Sequence, residues 1–192
     1  MNNIKLLFVL LITTALLGGC SVSNSSEFIT WNAKGQLYQV SEQLEVGDII
    51  ITSKDWTKPI SWFGHSAIMV SRYKIGEYPQ FFTGYYETDV ILWLSKKKEF
   101  SVLRYKFFDE DFKAAFLNNL LDTKYKKYKI VGKTNKNAFY CSQYIWYLYW
   151  KTAKDLGYEL DIDRDGGYFV TPYDLLNSKY FNKVIKGGLQ TH

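Results

Sequence analysis

Two side chains in this sequence have the types that thiol nucleophilic catalysis requires, Cys141 and His65. Such chemistry needs an imidazole beside the sulfur to hold the thiolate, and a third polar group to fix the ring tautomer. Cys141 lies in the apolar, aromatic stretch Asn137–Trp150, and from it Tyr144, Ile145, Leu148 and Thr152 follow at three- and four-residue spacing. That spacing predicts a helix with these residues on one face, and Asn137 is the expected N-cap. A thiol in the first turn sits at the positive end of the helix dipole, which favours the thiolate. Backbone N–H groups there, including that of Cys141, can meet a developing oxyanion. The one other histidine, His192, is the last residue. The orienting group should be a carboxylate on the strand beside His65. Glu87 is the first choice and Asp89 the second. Composition alone equally allows Cys141 as a small buried hydrophobe and His65 as a structural strand-end histidine.

These residues must be positioned by an α+β arrangement. Ile49-Ile-Ile-Thr52 is a short β-branched run after Gly47-Asp48 and reads as a buried strand. Asp48 is expected to form the turn rather than to act chemically. A loop from Asp55 to Gly64 leads into His65–Ser71, a second strand with His65 first. Phe81–Glu87, which should pair with the His65 strand, and Val90–Leu94 read as strands around a turn, and Phe100–Tyr105 as a half-exposed strand. Asp109–Leu121 carries acids in its first turn and an apolar face of Phe112, Phe116, Leu117, Leu120 and Leu121, a well-signalled helix. Thr171-Pro-Tyr-Asp174 starts another, with Thr as N-cap, Pro at N1 and an acid at N3. Asp161-Ile-Asp-Arg-Asp-Gly166 opens like a calcium loop, but Pro172 stands at the twelfth position, where an EF-hand needs glutamate. A polar turn is therefore expected there, and neither a metal nor another cofactor.

The N-terminus has its own signature. Met1–Lys5 is a short basic segment and Leu6–Leu17 an apolar one, followed by Leu17-Gly-Gly-Cys20. Small residues before a cysteine at this distance resemble the bacterial lipobox. That implies a signal peptide over 1–19, a lipidated Cys20 (diacyl plus N-acyl, palmitate-type chains) and a tether and lead-in over 20–43. Ser21–Ser26 would be the flexible part. Several acyl chains anchor stably where one is marginal, so membrane lipid becomes a partner. Ser21 after the cysteine resembles outer-membrane sorting in diderm lipoproteins, which would set the domain on the periplasmic face of the envelope. With Cys20 lipidated, Cys141 has no intrachain disulfide partner. The formal charge is +5, and losing Lys5 with the leader leaves +4. That balance suits anionic headgroups or wall polymers, and is too dispersed for nucleic acid. Tyr 16, Phe 13 and Trp 6 suggest a core with polar handles and a groove for an extended or acyl-bearing ligand.

Gly47-Asp48 before a strand, Gly64-His65-Ser-Ala-Ile opening the next, then Tyr140-Cys141-Ser142 on a helix resemble the circularly permuted papain-like amidases. This is the YaeF/YiiX branch of the NlpC-type cell-wall peptidases, related to lecithin:retinol acyltransferase. Thr171-Pro172 with Asp174-Leu175 resembles the segment that ends that domain. The order, histidine before cysteine, is the specific part. The resemblance implies a papain-like core over 44–186, with a small antiparallel sheet packed on the cysteine helix. It implies Cys141 as nucleophile, His65 as base and Glu87 as the acidic third member. Tyr140 matches the aromatic before the nucleophile, with shaping the oxyanion or substrate pocket and simple packing equally open. The expected activity is an amidase or peptidase acting on cell-wall peptide or lipid-linked acyl bonds. The alternatives are a lipid-directed acyltransferase or thioesterase, and a non-catalytic lipoprotein that binds wall or lipid.

Overall fold

The computed structural model describes residues 31–57, 62–185 and 188–190. The expected signal peptide over 1–19, Cys20, the expected tether through residue 30, Pro59 and His192 lie outside the described residues. The strands are β1 (Asn32–Ala33), β2 (Ile49–Thr52), β3 (His65–Met69), β4 (Lys74–Glu77), β5 (Tyr86–Asp89), β6 (Glu99–Tyr105), β7 (Lys127–Tyr128), β8 (Ala138–Phe139), β9 (Phe181–Ile185) and β10 (Gly188–Gln190). The helices are α1 (Leu37–Ser41), α2 (Val90–Leu94), α3 (Glu110–Thr123), α4 (Cys141–Asp155) and α5 (Pro172–Leu176). One antiparallel sheet runs β10-β9-β6-β2-β3-β4-β5, with β1 added on β6, while β7 and β8 form a separate parallel pair. The molecule is thus mixed α and β around an antiparallel sheet larger than the small one expected.

Both faces of the sheet are covered, and β2 shows why its sequence is apolar without alternation. Ile49 and Ile51 pack with Phe112, Phe116, Tyr144, Leu148 and Tyr149 of α3 and α4. Ile50 points to the other side, against Leu37 and Val40 of α1 and Trp93 and Leu94 of α2. The same two-sided cover corrects the reading of 100–105. β6 lies between β2 and β9, so Phe100, Val102 and Leu103 are all buried.

Two further expectations are overturned. Val90–Leu94 is a helix, because the Asp89 carboxylate accepts from Leu92 N at 3.0 Å and caps it. That five-residue run is too short for periodicity to separate strand from helix. Asn137 is not an N-cap: residues 138–139 are extended in β8, and Asn135 Oδ1 accepts from the N–H groups of Asn137 and Ala138. Helix α4 therefore starts at Cys141 itself, with Tyr140 as an N-cap that makes no side-chain cap.

Asp48 is a buried structural residue, 1% exposed. It accepts from Arg104 Nε at 2.9 Å and Nη2 at 2.8 Å, and from Glu45 N at 2.8 Å. Tyr149 Oη donates to Gly47 O at 2.7 Å, tying α4 to the same turn. Asp48→Ala would leave the partly buried Arg104 guanidinium with only the Glu45 carboxylate and Gln43 O, at a cost of up to about 3–5 kcal/mol. A clear drop in thermal midpoint is expected, with part of it restored in Asp48→Ala/Arg104→Met, because removing both charges leaves no guanidinium short of a partner.

Candidate active site

His65 reaches its position through Gly64, which has φ +75 and where a side chain's Cβ would lie 2.8 Å from Thr52 O. Only glycine fits this close, left-handed approach at the mouth of the β2–β3 pair. At the end of β3, the His65 ring engages three neighbours. The Cys141 thiol lies close enough for each group to bias the other's protonation. Glu77 Oε2 lies 2.5 Å from Nε2. Trp93 packs beside it, ring centroids 6.1 Å apart. With the carboxylate at Nε2, Nδ1 is the ring nitrogen free to face another group.

The third member is a correction. Glu87 faces Gly76 across β4 and β5, one strand further from His65 than expected. Its carboxylate accepts from Tyr85 Oη at 2.9 Å and from Lys124 Nζ at 2.5 Å. Asp89, the second choice, caps α2. The strand beside β3 is β4, where Met69 pairs with Ile75 and Ile68 with Gly76. Continuing that antiparallel register sets Glu77 opposite Ala67, diagonal to His65 on the same face. The sequence signal for β4 is slight. Lys74-Ile-Gly-Glu offers one β-branched residue, and its glycine is required because a Cβ at Gly76 would meet Tyr85 Oη.

The charges at this site reinforce one another. Burial by itself would lower the His65 pKa, but its hydrogen bonds to Cys141 and Glu77 and their negative charges outweigh this and lift it to about 9. Burial pushes the Cys141 thiol up, while the His65 hydrogen bond and charge, with the hydroxyls of Ser66 and Ser142, hold it below its ordinary value. The sulfur also sits at the first residue of a long helix, where N–H groups lack intrahelical acceptors. Each group thereby favours the charged form of the other.

Cys141 is 9% exposed, and it opens onto a cavity of about 430 Å³ whose walls include Phe63, Phe81, Tyr128, Ile130, Phe169 and Val170. Tyr140 lines it too, and its phenol oxygen accepts from Val170 N at 2.8 Å. Ser142 Oγ donates to Val170 O at 2.7 Å. Tyr140 and Ser142 therefore brace the 170 wall beside the sulfur. On the other flank His65 and Glu77 border a cleft of about 500 Å³ with Thr52, Lys54, Trp56 and Lys98 on its walls.

Among the described residues, a group that could hold a cation is formed by Asp163, Asp165 and Asp174. No helix of the described residues is long and apolar enough to cross a membrane.

A scan against protein-family models and a search of curated proteins each found no match to the sequence. Among solved structures, the chain is similar to one described as the metalloprotein yiiX from Escherichia coli O157:H7. The likeness has 15% identity, TM-score 0.56, and covers 76% of this chain and 99% of that one. At that identity it shows a fold shared with yiiX.

Proposed function

We propose that this chain is a thiol hydrolase with a permuted papain-like core. Cys141 is its nucleophile, His65 its acid–base and Glu77 the residue that positions His65. The observation that carries this reading is the Glu77 carboxylate 2.5 Å from His65 Nε2, with the Cys141 thiol and the His65 imidazole displacing each other's pKa in opposite directions. The thiolate attacks a carbonyl carbon, and the first-turn N–H groups of α4 stabilise the oxyanion. The His65 imidazolium then gives its proton to the departing nitrogen or oxygen, leaving a thioester on Cys141. His65 next takes a proton from water, the hydroxide attacks the thioester, and the acid leaves as the thiolate and imidazolium are restored. With the lipobox-like Cys20, the domain would work tethered to the envelope, on the periplasmic side of a membrane.

The walls of the Cys141 cavity favour an aliphatic acyl group on the carbonyl side, because aromatic and branched side chains there gain by covering apolar surface. The second reading, an amidase of cell-wall peptide, is favoured by the polar, lysine-bearing cleft beside His65 and Glu77. Full-length protein in detergent, incubated separately with phospholipid vesicles and with muropeptides and analysed by mass spectrometry, distinguishes them. Release of fatty acid that stops in Cys141→Ala is the expected result. Cleaved muropeptide with intact lipid would establish the amidase instead, and no Cys141-dependent product from either would leave a binding lipoprotein.

A further inference from the structure

Outside the thiol site, the segment Asp161-Ile-Asp-Arg-Asp-Gly166 contains an unbalanced buried charge. The Asp163 side chain is fully buried, and the residue is 7% exposed. Its Oδ2 receives Lys133 Nζ at 2.8 Å, yet its Oδ1 has no hydrogen-bonding partner. A buried carboxylate oxygen without a partner is costly. Lys133 is shared with Asp161 Oδ2 at 3.0 Å, so one ammonium faces several acids. Asp165 and Asp174 each bring a carboxylate oxygen to Asp163, all three within 4.8 Å of one another. Three carboxylates that close can share one calcium, whereas magnesium is usually held by one or two and keeps several waters.

We infer that Asp163, Asp165 and Asp174 form a calcium site. The ligands are hard oxygens, which suit calcium over softer transition ions. Gly166, with φ +69, makes the sharp turn that lets Asp163 and Asp165 face one point. The site departs from an EF-hand at both ends. Asp161, first in the motif, is committed to Trp146 Nε1 at 2.7 Å and to Lys133. Pro172 holds the twelfth position, and Asp174 comes instead from the first turn of α5. Asp174 Oδ2 also accepts from Thr171 N at 2.7 Å and Thr171 Oγ1 at 2.6 Å. Val170, Thr171 and Pro172 are a wall of the Cys141 cavity. The cation would fasten the 161–167 loop to that wall, from outside the thiol site.

The test uses full-length protein in detergent, stripped with a chelator and titrated with CaCl2 or MgCl2 by calorimetry and thermal melting. Calcium is expected to bind saturably at submillimolar to millimolar concentration and to raise the melting midpoint. Asp165→Asn should weaken calcium binding by at least about tenfold while melting like wild type in chelator, since Asp165 is exposed and its carboxylate holds Gly167 N. Asp163→Asn is the second variant and should also lose the calcium response. No heat and no shift in wild type up to about 10 mM calcium, or wild-type affinity in Asp165→Asn, overturns the site. An equal response to magnesium at the same concentration overturns its assignment to calcium. None of these readouts depends on the thiol's activity.

Discussion

Substitution of Cys141 by alanine is expected to remove all turnover above background. His65→Ala should slow the reaction by about 10²–10⁴-fold, the range a positioned acid–base contributes. The thiol itself offers a measurement that needs no substrate. Iodoacetamide should label wild-type Cys141 below the pH at which a free cysteine reacts, because His65 lowers the thiol pKa. In His65→Ala, burial acts without the imidazolium that opposed it, so the thiol pKa rises. Labelling near neutral pH should then fall at least about tenfold, one decade for each pKa unit lost. The wild-type pH profile follows from the two displacements. Activity rises as Cys141 ionises, below the ordinary thiol range, and falls as His65 loses its proton at about 9. A thiol that stays unlabelled until the protein unfolds, with or without His65, would show that Cys141 is an inert core residue.

Glu77 and Glu87 provide the second contrast, because both are acids on neighbouring strands and only one touches His65. Glu77→Ala should lower turnover by about 10–10³-fold, through loss of the group that holds the ring tautomer. Glu77→Gln keeps an acceptor for Nε2–H but removes the charge, so its effect on rate is smaller. It should move the alkaline limb of the profile down from about 9 toward the ordinary histidine value, since Glu77 is one of the groups that raise His65. A merely structural role would lower stability without moving that limb. Glu87→Gln should leave the pH profile unchanged and cost at most about 1 kcal/mol, as expected for a partly exposed pair with Lys124. A profile that moves with Glu87 and stays put with Glu77 would reverse the assignment made from geometry.

Much of the framework is legible locally. The capping box of Thr171 and Asp174 appears where the residue types place it, because N-cap chemistry acts over three residues and needs no tertiary partner. The same holds for the acidic start of α3, where Asp109 Oδ1 accepts from Phe112 N at 2.8 Å. Val90–Leu94 departs from its expected strand for the opposite reason. Its apolar content satisfies either state, and the packing of Trp93 and Leu94 under the sheet, with the Asp89 cap, selects the helix.

Which atoms are available for chemistry is a property of the residues alone: one thiol outside the lipobox-like segment, one internal imidazole, and a helix that begins near the thiol. Residue types, helical spacing and cap preferences belong to short segments, so they can be read without coordinates. Which carboxylate lies beside the imidazole, and which aspartates come together, are decided by tertiary structure. Glu77 reaches His65 only through the register of β3 with β4. Asp174 reaches Asp163 only because α5 folds back beside the 161–167 loop. A one-residue change of register turns a strand side chain to the other face, and the choice between those faces is made by packing across the whole sheet.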